Sequence, residues 1–349
     1  MKEVGYGIVG LGNIGPVHAQ AVNAVKGARL VAVCDTRGDL AREFAKKYGG
    51  TPYTDLGAML THRGLHAVSL CVPSGLRADL AVTVARAGKH IMSEKPLEIT
   101  TARIDRILRA CEKSGVMLGC IFQYRFAEAG QLVRKAIDQG RFGKLVLGDA
   151  YIKWYRSQSY YDSGAWRGTW KLDGGGVLMN QGIHQIDLLQ WFMGPVVTVY
   201  ARAATVAHKN IEVEDLATVL LEFKNGAQGV IEGSTAIYPG HPARVEVHGT
   251  HGSAAIEDGK IVFWEFTKKR AEDKKILAAM NRESDLGTGA SDPLKGLKIE
   301  GHRRQIEDFV RAIRTGRPPA ISGNEGRKAV ALLEAIYKSA RTGKLVRVR

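Results

Sequence analysis

The 349-residue sequence contains few cysteines and no long apolar run. Cys34, Cys71, Cys111 and Cys120 show no Cys-x-x-Cys spacing, and three of them lie in or at the ends of apolar, strand-like segments. This pattern excludes a disulfide scaffold and indicates buried thiols in a reducing compartment. No apolar run approaches the ~20 residues that span a bilayer, and the first predicted strand begins by Val4. We therefore expect no cleaved leader, no membrane segment and a cytoplasmic protein.

The basic residues exceed the acidic ones, but they are spread along the chain. There are 50 Lys and Arg against 35 Asp and Glu, which gives a formal charge of +15. The densest basic cluster, Lys268–Lys275, includes two acidic residues and no aromatic residue, so it is typical of a solvated loop. We expect no nucleic-acid partner. With 45% apolar and 24% charged residues, the composition is that of a globular protein, neither disordered nor fibrous.

A glycine-rich segment near the amino terminus is the clearest motif. Gly10, Gly12 and Gly15 form Gly-x-Gly-x-x-Gly directly after an apolar run and before a predicted helix. This arrangement brings backbone N–H groups and a helix N-terminus to a pyrophosphate. Twenty residues after Gly15, a second apolar run ends at Asp35, whose carboxylate suits the ribose hydroxyls of a dinucleotide. Asp35 favours NAD, whereas Arg37 leaves NADP as an alternative.

Strand-like and helix-like segments alternate through the first third of the chain. Such alternation predicts a parallel sheet with helices on both faces. We predict strands at 4–9, 29–34, 67–72, 89–92 and 116–121, and helices at 14–25, 38–47, 77–87 and 100–113.

The pattern changes after Gln123. Strand-like segments follow one another, with tight-turn signals at Asn225-Gly226 and Asp258-Gly259, and helical periodicity returns near the end. We predict an α/β protein with a dinucleotide-binding domain at 1–122 and a second domain at 123–349 that contains a mainly antiparallel sheet. The predicted strands are 144–156, 196–206, 214–223, 227–235, 243–248 and 253–264, the helices are 301–315 and 324–342, and the polar segment 279–296 is predicted to be a loop.

Polar residues follow two predicted strands of the first domain. Pro73 and Ser74 follow one strand, and Glu94 and Lys95 follow the next. A lysine at the carboxyl end of a strand is well placed to hydrogen-bond a substrate hydroxyl and to stabilise the alkoxide that develops as hydride leaves. Alternatively, Lys95 pairs with Glu94 or with solvent, and the pattern alone does not separate these two interpretations.

A second candidate site follows the glycine-rich segment Gly174–Gly176. The helical spacing of Asn180, His184 and Asp187 predicts that these polar side chains share one face. One interpretation is catalysis, with His184 as a general base that Asp187 or Asn180 orients. The alternatives are a buried hydrogen-bond network without chemistry and a metal site, for which no further ligand occurs at a convincing spacing.

Several segments resemble the Gfo/Idh/MocA oxidoreductase family in their order and spacing, and the resemblance covers nearly the whole chain. They are Gly10–Gly15, Ala87–Leu97, Gln123–Phe126, Gly174–Asp187 and Gly301–Phe309. The family includes inositol, sugar and nucleotide-sugar dehydrogenases. The resemblance implies an N-terminal Rossmann domain and a C-terminal α/β domain whose open sheet commonly forms a dimer or tetramer interface. We therefore expect a homodimer or homotetramer.

The resemblance also implies roles for particular residues. Lys95 would contact both the reacting hydroxyl and the nicotinamide ribose, and His184 would exchange the proton. The Lys-Pro peptide bond at this position is often cis in such proteins, so we expect a cis bond between Lys95 and Pro96. The sequence departs from the family pattern at two positions. Many relatives carry Asp in place of Asn180, although nucleotide-sugar dehydrogenases often share the Asn. Many relatives also carry His in place of Arg77. The predicted cofactor-binding residues are Gly10, Gly12, Asn13, Ile14, Asp35, Arg37, Pro73, Ser74, Glu94, Lys95, Gln123, Trp166 and Arg167.

We therefore expect an NAD-dependent dehydrogenase, with NADP possible, that oxidises a secondary ring hydroxyl of a sugar, sugar derivative or cyclitol without a metal ion. The hydroxyl would lie between Lys95 and His184. An NAD-retaining glycosidase of the same fold and a non-catalytic NAD-binding sensor are the alternatives. Candidate substrate contacts, whose alternative is ordinary packing or solvent exposure, are Tyr155, Arg156 and Lys171, in addition to Lys95, Asn180 and His184.

Overall fold

The computed structural model describes residues 3–279 and 298–348. The chain divides into two compact units, one of Met1–Gln123 with Lys298–Val330 and one of Tyr124–Leu297 with Ala331–Arg349. The expected domain boundary at residue 122 stays a prediction, and the first unit also includes the segment that begins at Lys298. Of the predicted loop, residues 280–296 lie outside the described residues. Within the described ranges, no helix is both long and apolar enough to cross a membrane.

The secondary structure alternates at first and becomes strand-rich later, as the sequence pattern predicts. The strands are β1 Val4–Val9, β2 Ala28–Cys34, β3 Thr51–Tyr53, β4 Ala67–Leu70, β5 His90–Ser93, β6 Leu118–Cys120, β7 Leu145–Lys153, β8 Val196–Ala204, β9 Leu216–Phe223, β10 Gln228–Ser234, β11 Arg244–Gly249, β12 Gly252–Glu257, β13 Lys260–Phe266 and β14 Val346–Arg347. The α-helices are α1 Gly15–Ala24, α2 Gly38–Tyr48, α3 Leu56–Leu60, α4 Arg77–Arg86, α5 Thr101–Ser114, α6 Glu128–Asp138, α7 Gln158–Asp162, α8 Ile183–Met193, α9 Ala271–Ala279, α10 Glu300–Thr315 and α11 Gly323–Thr342.

The first unit contains a parallel sheet with the strand order β3-β2-β1-β4-β5-β6. All residues of β1 and β4 are buried, as expected for strands covered on both faces. The order reverses between β1 and β4, the point at which open α/β sheets bind ligands beyond the strands' carboxyl ends. Helix α10 packs its apolar face into the same core through Ile306, Phe309 and Val310. The predicted α/β fold with a Rossmann-type sheet is confirmed.

The second unit contains a mostly antiparallel sheet with the strand order β13-β12-β11-β7-β10-β9-β8-β14. Only β7 and β10 pair in parallel. Burial alternates strictly along β9, so one face of this strand packs inside and the other is exposed. The predicted hairpin turns are confirmed, with positive φ at Gly226 (83°), Asp258 (42°) and Gly259 (81°). Helix α8 packs on β7 and β11 and so is held by the centre of the sheet.

Candidate active site

The glycine-rich turn follows β1 directly. The Gly10 N–H donates to the Cys34 carbonyl at 2.9 Å, and Gly10 adopts φ 87°, which disfavours other residues. A Cβ at this position would lie 2.8 Å from the Cys71 carbonyl group. Gly10 is therefore required by the protein's own backbone.

The space around Gly12 is open, in contrast to that around Gly10. A Cβ built on Gly12 would meet no atom of the described residues within 4 Å. Gly12 and Asn13 are exposed, Ile14 is half-buried, and α1 begins at Gly15. The protein itself therefore leaves space for a side chain at Gly12, and a glycine here fits the close approach of a pyrophosphate. These residues fit a dinucleotide.

Asp35 lies at the carboxyl end of β2, beside the glycine-rich turn. Its carboxylate accepts the Leu11 N–H at 3.0 Å, and it accepts the backbone N–H and side-chain Nε of Arg37 at 3.0 and 3.1 Å. Burial raises the pKa of Asp35, but the hydrogen bonds from Arg37 and Leu11 outweigh it, so the pKa lies below its ordinary value. An ionised carboxylate suits ribose hydroxyls and repels a 2′-phosphate.

The buried Arg77 side chain binds the backbone of the segment that follows β4. Ser74 is buried, and the Arg77 guanidinium donates to the carbonyls of Val72 at 3.0 Å, Glu94 at 2.9 Å and Pro96. Arg77 thus joins the loop after β4 to the loop after β5. This inward position explains what an arginine does at a position where many relatives have histidine.

Glu94 and Lys95 follow β5, whose carboxyl end neighbours that of β4 in the parallel sheet. The Glu94 carboxylate accepts the backbone N–H of Lys95 at 3.1 Å, and the Lys95–Pro96 peptide bond is cis, as the resemblance implies. Lys95 is half-buried, and Gln123, which follows β6, is buried. The structure therefore places Gly10, Gly12, Asp35, Ser74 and Lys95 at the carboxyl ends of strands of one sheet.

Two histidines that the sequence analysis missed bind Glu94. His18 Nε2 and His302 Nε2 lie 2.9 and 3.2 Å from Glu94 Oε1. Burial alone would raise the pKa of Glu94, but these hydrogen bonds hold it well below its usual range. An ionised carboxylate only accepts, so each Nε2 donates. His18 Nδ1 lies 2.8 Å from Ser69 Oγ, which continues the buried network.

In the second unit, His184 lies on the first turn of α8. Its ring stacks on that of Tyr124, with centroids 4.9 Å apart and planes at 8°, and it is 8% exposed. Burial raises the pKa of the Tyr124 hydroxyl, so this ring stays neutral. The imidazole is therefore held flat against an uncharged aromatic surface.

Asp187, also on α8, forms an ion pair with Arg125. Its carboxylate accepts both Arg125 Nε, at 2.8 Å, and Arg125 Nη2, at 2.7 Å, and both side chains are buried. The Arg125 guanidinium also lies 5.4 Å from the Trp191 ring centroid. The sequence pattern did not predict this ion pair with Arg125, and an orienting role of Asp187 toward His184 stays a prediction.

Asn180 lies before the first residue of α8. It lies in a π-helical turn, Val177–Gln181, which precedes α8 and shifts the register that regular helical spacing assumes. The Asn180 amide donates to the Asp173 carboxylate, and its oxygen accepts from Gln181 Nε2 at 3.2 Å. The regular helix therefore begins at Ile183 and not at Asn180, and a shared face of Asn180 with His184 stays a prediction.

Tyr160, which the sequence analysis missed, links several predicted residues. Its hydroxyl accepts from Arg167 Nη1 and Gln181 Nε2, each at 2.7 Å. The Arg156 and Arg167 guanidinium groups lie 5.6 and 4.3 Å from its ring centroid. Burial raises the pKa of Tyr160, which keeps the hydroxyl protonated. The signal was weak, since Tyr160 is one of two adjacent tyrosines in a segment without periodicity.

The remaining predicted contacts differ in exposure. The Arg156 guanidinium is buried and donates to Gln181 Oε1 at 3.1 and 2.9 Å and to the Tyr155 carbonyl at 2.8 Å, which favours the packing interpretation. Tyr155 is half-buried against the Tyr238 ring, and Lys171 is exposed. Trp166 stacks with Arg167 at 4.6 Å. Their roles toward substrate or cofactor stay predictions.

The described residues contain two groups of three side chains of metal-ligating type whose ligand atoms lie close together. They are His18 with Glu94 and His302, and Asp149 with Glu246 and His248. Neither group includes His184, so the described structure gives no support to the metal interpretation of His184.

Comparisons with known proteins identify the family of the chain. The family described as "Oxidoreductase family, NAD-binding Rossmann fold" matches residues 4–122, and "GFO/IDH/MocA C-terminal domain" matches residues 131–255. The chain is 32% identical to the inositol 2-dehydrogenase of Rhizobium meliloti (strain 1021), over 96% of each chain. It is 28% identical to the myo-inositol 2-dehydrogenase of Thermotoga maritima, over 95% of each.

A solved structure is also similar over the full length. The WlbA dehydrogenase from Bordetella pertussis, in complex with NADH and UDP-GlcNAcA, is 34% identical and covers 100% of this chain and 98% of its own, with a TM-score of 0.91. The motifs, the Rossmann sheet and these full-length similarities agree. The chain belongs to the Gfo/Idh/MocA family of NAD-binding oxidoreductases.

Proposed function

We propose that this protein is an NAD-dependent dehydrogenase that oxidises a secondary ring hydroxyl of a sugar, sugar derivative or cyclitol. The observation that carries the proposal is the position of Lys95 directly after β5, in a unit whose glycine-rich turn and Asp35 suit NAD. Full-length similarity to inositol 2-dehydrogenase and to a dehydrogenase in complex with NADH supports it.

Lys95 and His184 have complementary tasks in the proposed reaction. The Lys95 ammonium hydrogen-bonds the reacting hydroxyl and stabilises negative charge at its oxygen. The His184 imidazole accepts the proton of that hydroxyl. Bound NAD supplies the nicotinamide ring that accepts hydride from the same carbon. Tyr124 restrains the His184 ring by stacking, and Glu94 restrains the backbone from which the Lys95 side chain extends.

The cofactor preference follows from Asp35. Because Arg37 hydrogen-bonds the Asp35 carboxylate, that carboxylate stays ionised, and its negative charge would disfavour the 2′-phosphate of NADP. We propose NAD as the cofactor, with Pro73, Ser74, Gln123, Trp166 and Arg167 as further contacts.

Two kinds of substrate have support within the proposed class. Similarity to inositol 2-dehydrogenase favours a cyclitol, and similarity to a structure holding UDP-GlcNAcA favours a nucleotide-linked sugar. Tyr155, Lys171 and Asn180 are the proposed substrate contacts, because their side chains are at least partly exposed.

We further propose a cytoplasmic homodimer or homotetramer. The free cysteines suit a reducing compartment. Apolar side chains on the second sheet, such as Leu220 (58% exposed) and Tyr200 (38% exposed), suit contact with a second copy.

The experiment is a substrate screen followed by a lysine substitution. Purified protein is mixed with NAD or NADP and with inositols, free sugars or UDP-sugars, and NADH or NADPH absorbance is followed. Lys95→Ala should lower kcat by at least about 100-fold with little change in NAD affinity. Lys113→Ala, an exposed lysine on α5, is the control and should leave kcat unchanged.

Three outcomes would contradict the proposal. Near-normal turnover of Lys95→Ala would remove this lysine from the mechanism. Cleavage of a chromogenic glycoside without net NADH would identify a glycosidase. NAD binding without turnover of any compound in the screen would favour a sensor.

A further inference from the structure

The π-helical turn that precedes α8 is held by two side chains from distant parts of the chain. Glu214 Oε2 accepts the Gly176 N–H at 2.9 Å, and Glu214 Oε1 accepts the Leu178 N–H at 3.0 Å. The Tyr337 hydroxyl, on α11, donates to Glu214 Oε1 at 2.9 Å, and its oxygen also accepts the Met179 N–H. Together these two side chains bind three backbone N–H groups at the start of the turn.

Both side chains are buried, and their polar atoms form hydrogen bonds. Glu214 is 4% exposed and Tyr337 is 5% exposed. A buried carboxylate is costly unless it is hydrogen-bonded, and the first N–H groups of a helix have no partner within the helix. The positive end of the helix dipole also favours a carboxylate here. The Glu214–Tyr337 pair therefore provides hydrogen-bond acceptors for the N–H groups of the turn, and these N–H groups stabilise the buried Glu214 carboxylate.

The backbone of the turn lies in close contact with Glu214 and Tyr337. The Glu214 carbonyl accepts the Val177 N–H at 3.0 Å, and a Cβ on Gly176 would lie 1.8 Å from that carbonyl oxygen. A Cβ on Gly175 would lie 2.1 Å from the Tyr337 hydroxyl. The position of the turn is thus fixed by contact as well as by hydrogen bonds.

The turn leads directly into the helix that carries His184. The Gly182 N–H closes the turn by donating to the Val177 carbonyl at 2.7 Å, and Gly182 is the residue before α8. His184 is the second residue of α8, and Asn180 lies within the turn. A shift of the turn would therefore reach His184 through the hydrogen bond between Gly182 and Val177 and the two residues that follow Gly182.

We propose that Glu214 and Tyr337 are positioning residues for the reaction, which set the location of Asn180 and His184 by capping the turn Val177–Gln181. The inference rests on the proposed function for its catalytic consequence, because that function assigns the proton transfer to His184. Neither residue touches the substrate in this account.

The test compares two hydroxyl deletions on the same helix. Tyr337→Phe removes the donor to Glu214 and the acceptor for Met179. Ser339→Ala removes another buried hydroxyl of α11, which contacts the Ala201 N–H at 3.0 Å and the Lys344 carbonyl at 2.6 Å, away from the turn. For each full-length variant with NAD and the substrate found in the screen, kcat and KM are measured. The His184 ring resonances are recorded on isotope-labelled histidine and assigned with His184→Gln.

Tyr337→Phe should lower kcat by about tenfold, with the KM for NAD unchanged, because a small misplacement of a catalytic group costs rate. The His184 resonances should shift. Ser339→Ala should keep kcat within about twofold of wild type and leave the resonances in place. Glu214→Gln, which keeps the size but loses one acceptor, should reproduce the Tyr337→Phe result.

Wild-type kcat and unshifted His184 resonances in Tyr337→Phe would overturn the proposal, as would equal effects of Ser339→Ala. If neither Tyr337→Phe nor Glu214→Gln folds, by circular dichroism, while Ser339→Ala does, the pair serves folding and the positioning role is overturned. Full activity of His184→Gln would instead refute the proposed role of His184. Shifted resonances in Tyr337→Phe would then still support the positioning of that ring.

Discussion

Alanine substitutions at Gly10 and Gly12 should have opposite effects on stability and on NAD binding. Gly10 combines a φ of 87° with a potential Cβ contact of 2.8 Å to the Cys71 backbone. At Gly12 a Cβ would meet no described atom within 4 Å, and φ does not lie in the left-handed region. Gly10→Ala should therefore damage the fold, whereas Gly12→Ala should damage only the ligand site.

The expected magnitudes follow from these geometries. At Gly10, the left-handed backbone costs about 1–2 kcal/mol and the forced contact about 1–3 kcal/mol. The sum corresponds to a Tm lowered by roughly 5–20 °C for a unit of this size. At Gly12, a Gly→Ala change that the backbone tolerates stabilises by about 0.4–1 kcal/mol through the unfolded chain. A methyl group pressed against the pyrophosphate should cost about 1–3 kcal/mol, or roughly five- to 150-fold in Kd.

Calorimetric unfolding and NAD titration of both variants measure these effects. Gly88→Ala is the matched control, because Gly88 has φ 70° but open space around a Cβ, so it reports backbone strain without a clash. Its loss of stability should be about 1–2 kcal/mol. Wild-type NAD affinity in Gly12→Ala would refute the assignment of the space above Gly12 to the cofactor. A Tm loss in Gly12→Ala as large as that in Gly10→Ala would refute the packing argument.

Two further predictions concern buried carboxyl groups. Asp187→Ala removes the carboxylate that accepts two hydrogen bonds from the buried Arg125, so it should destabilise the protein by about 3–5 kcal/mol. Arg125→Met with Asp187→Leu should recover most of that loss in chemical denaturation, and equal losses in the single and double variants would contradict the ion-pair argument. Burial raises the pKa of Glu214 from 4.5 to about 7, so its contribution to stability is full below pH 4.5 and is lost as the pH rises through about 7. Wild-type protein should therefore lose stability relative to Glu214→Gln over this range, by about 3 kcal/mol, and parallel pH profiles of the two Tm values would refute the shift.

The cofactor half of the site was predictable because its information is local. Gly10 and Gly12 stand between an apolar strand and a helix, and Asp35 ends the next strand, so pattern and spacing place all of them at one edge of a parallel sheet. Hairpins with Asn-Gly and Asp-Gly turns were predictable for the same reason. Short elements such as β3, α3 and α7 were missed, since three to five residues carry too little periodicity.

The supporting contacts could not be predicted from spacing, because they join distant positions. Glu94 meets His18 and His302, which lie 76 and 208 residues away, and Glu214 meets Tyr337 at a separation of 123 residues. The π-helical turn has no sequence signature, so the sequence pattern could not predict that the regular helix begins only at Ile183. Such contacts depend on how distant segments pack together, and the pattern of a single segment does not predict this packing.

The position of α10 has a consequence for how the chain is made. Ribosomes release the polypeptide from its amino end, and domains generally fold as they emerge. The apolar core around β1 and α1 also needs Ile306, Phe309 and Val310, which are translated after the whole sheet of β7–β13. The nascent Rossmann segment therefore leaves the ribosome with an incomplete hydrophobic interior. A fragment cut at residue 122 should expose that interior and aggregate, while a fusion that restores residues 298–330 should keep it in solution.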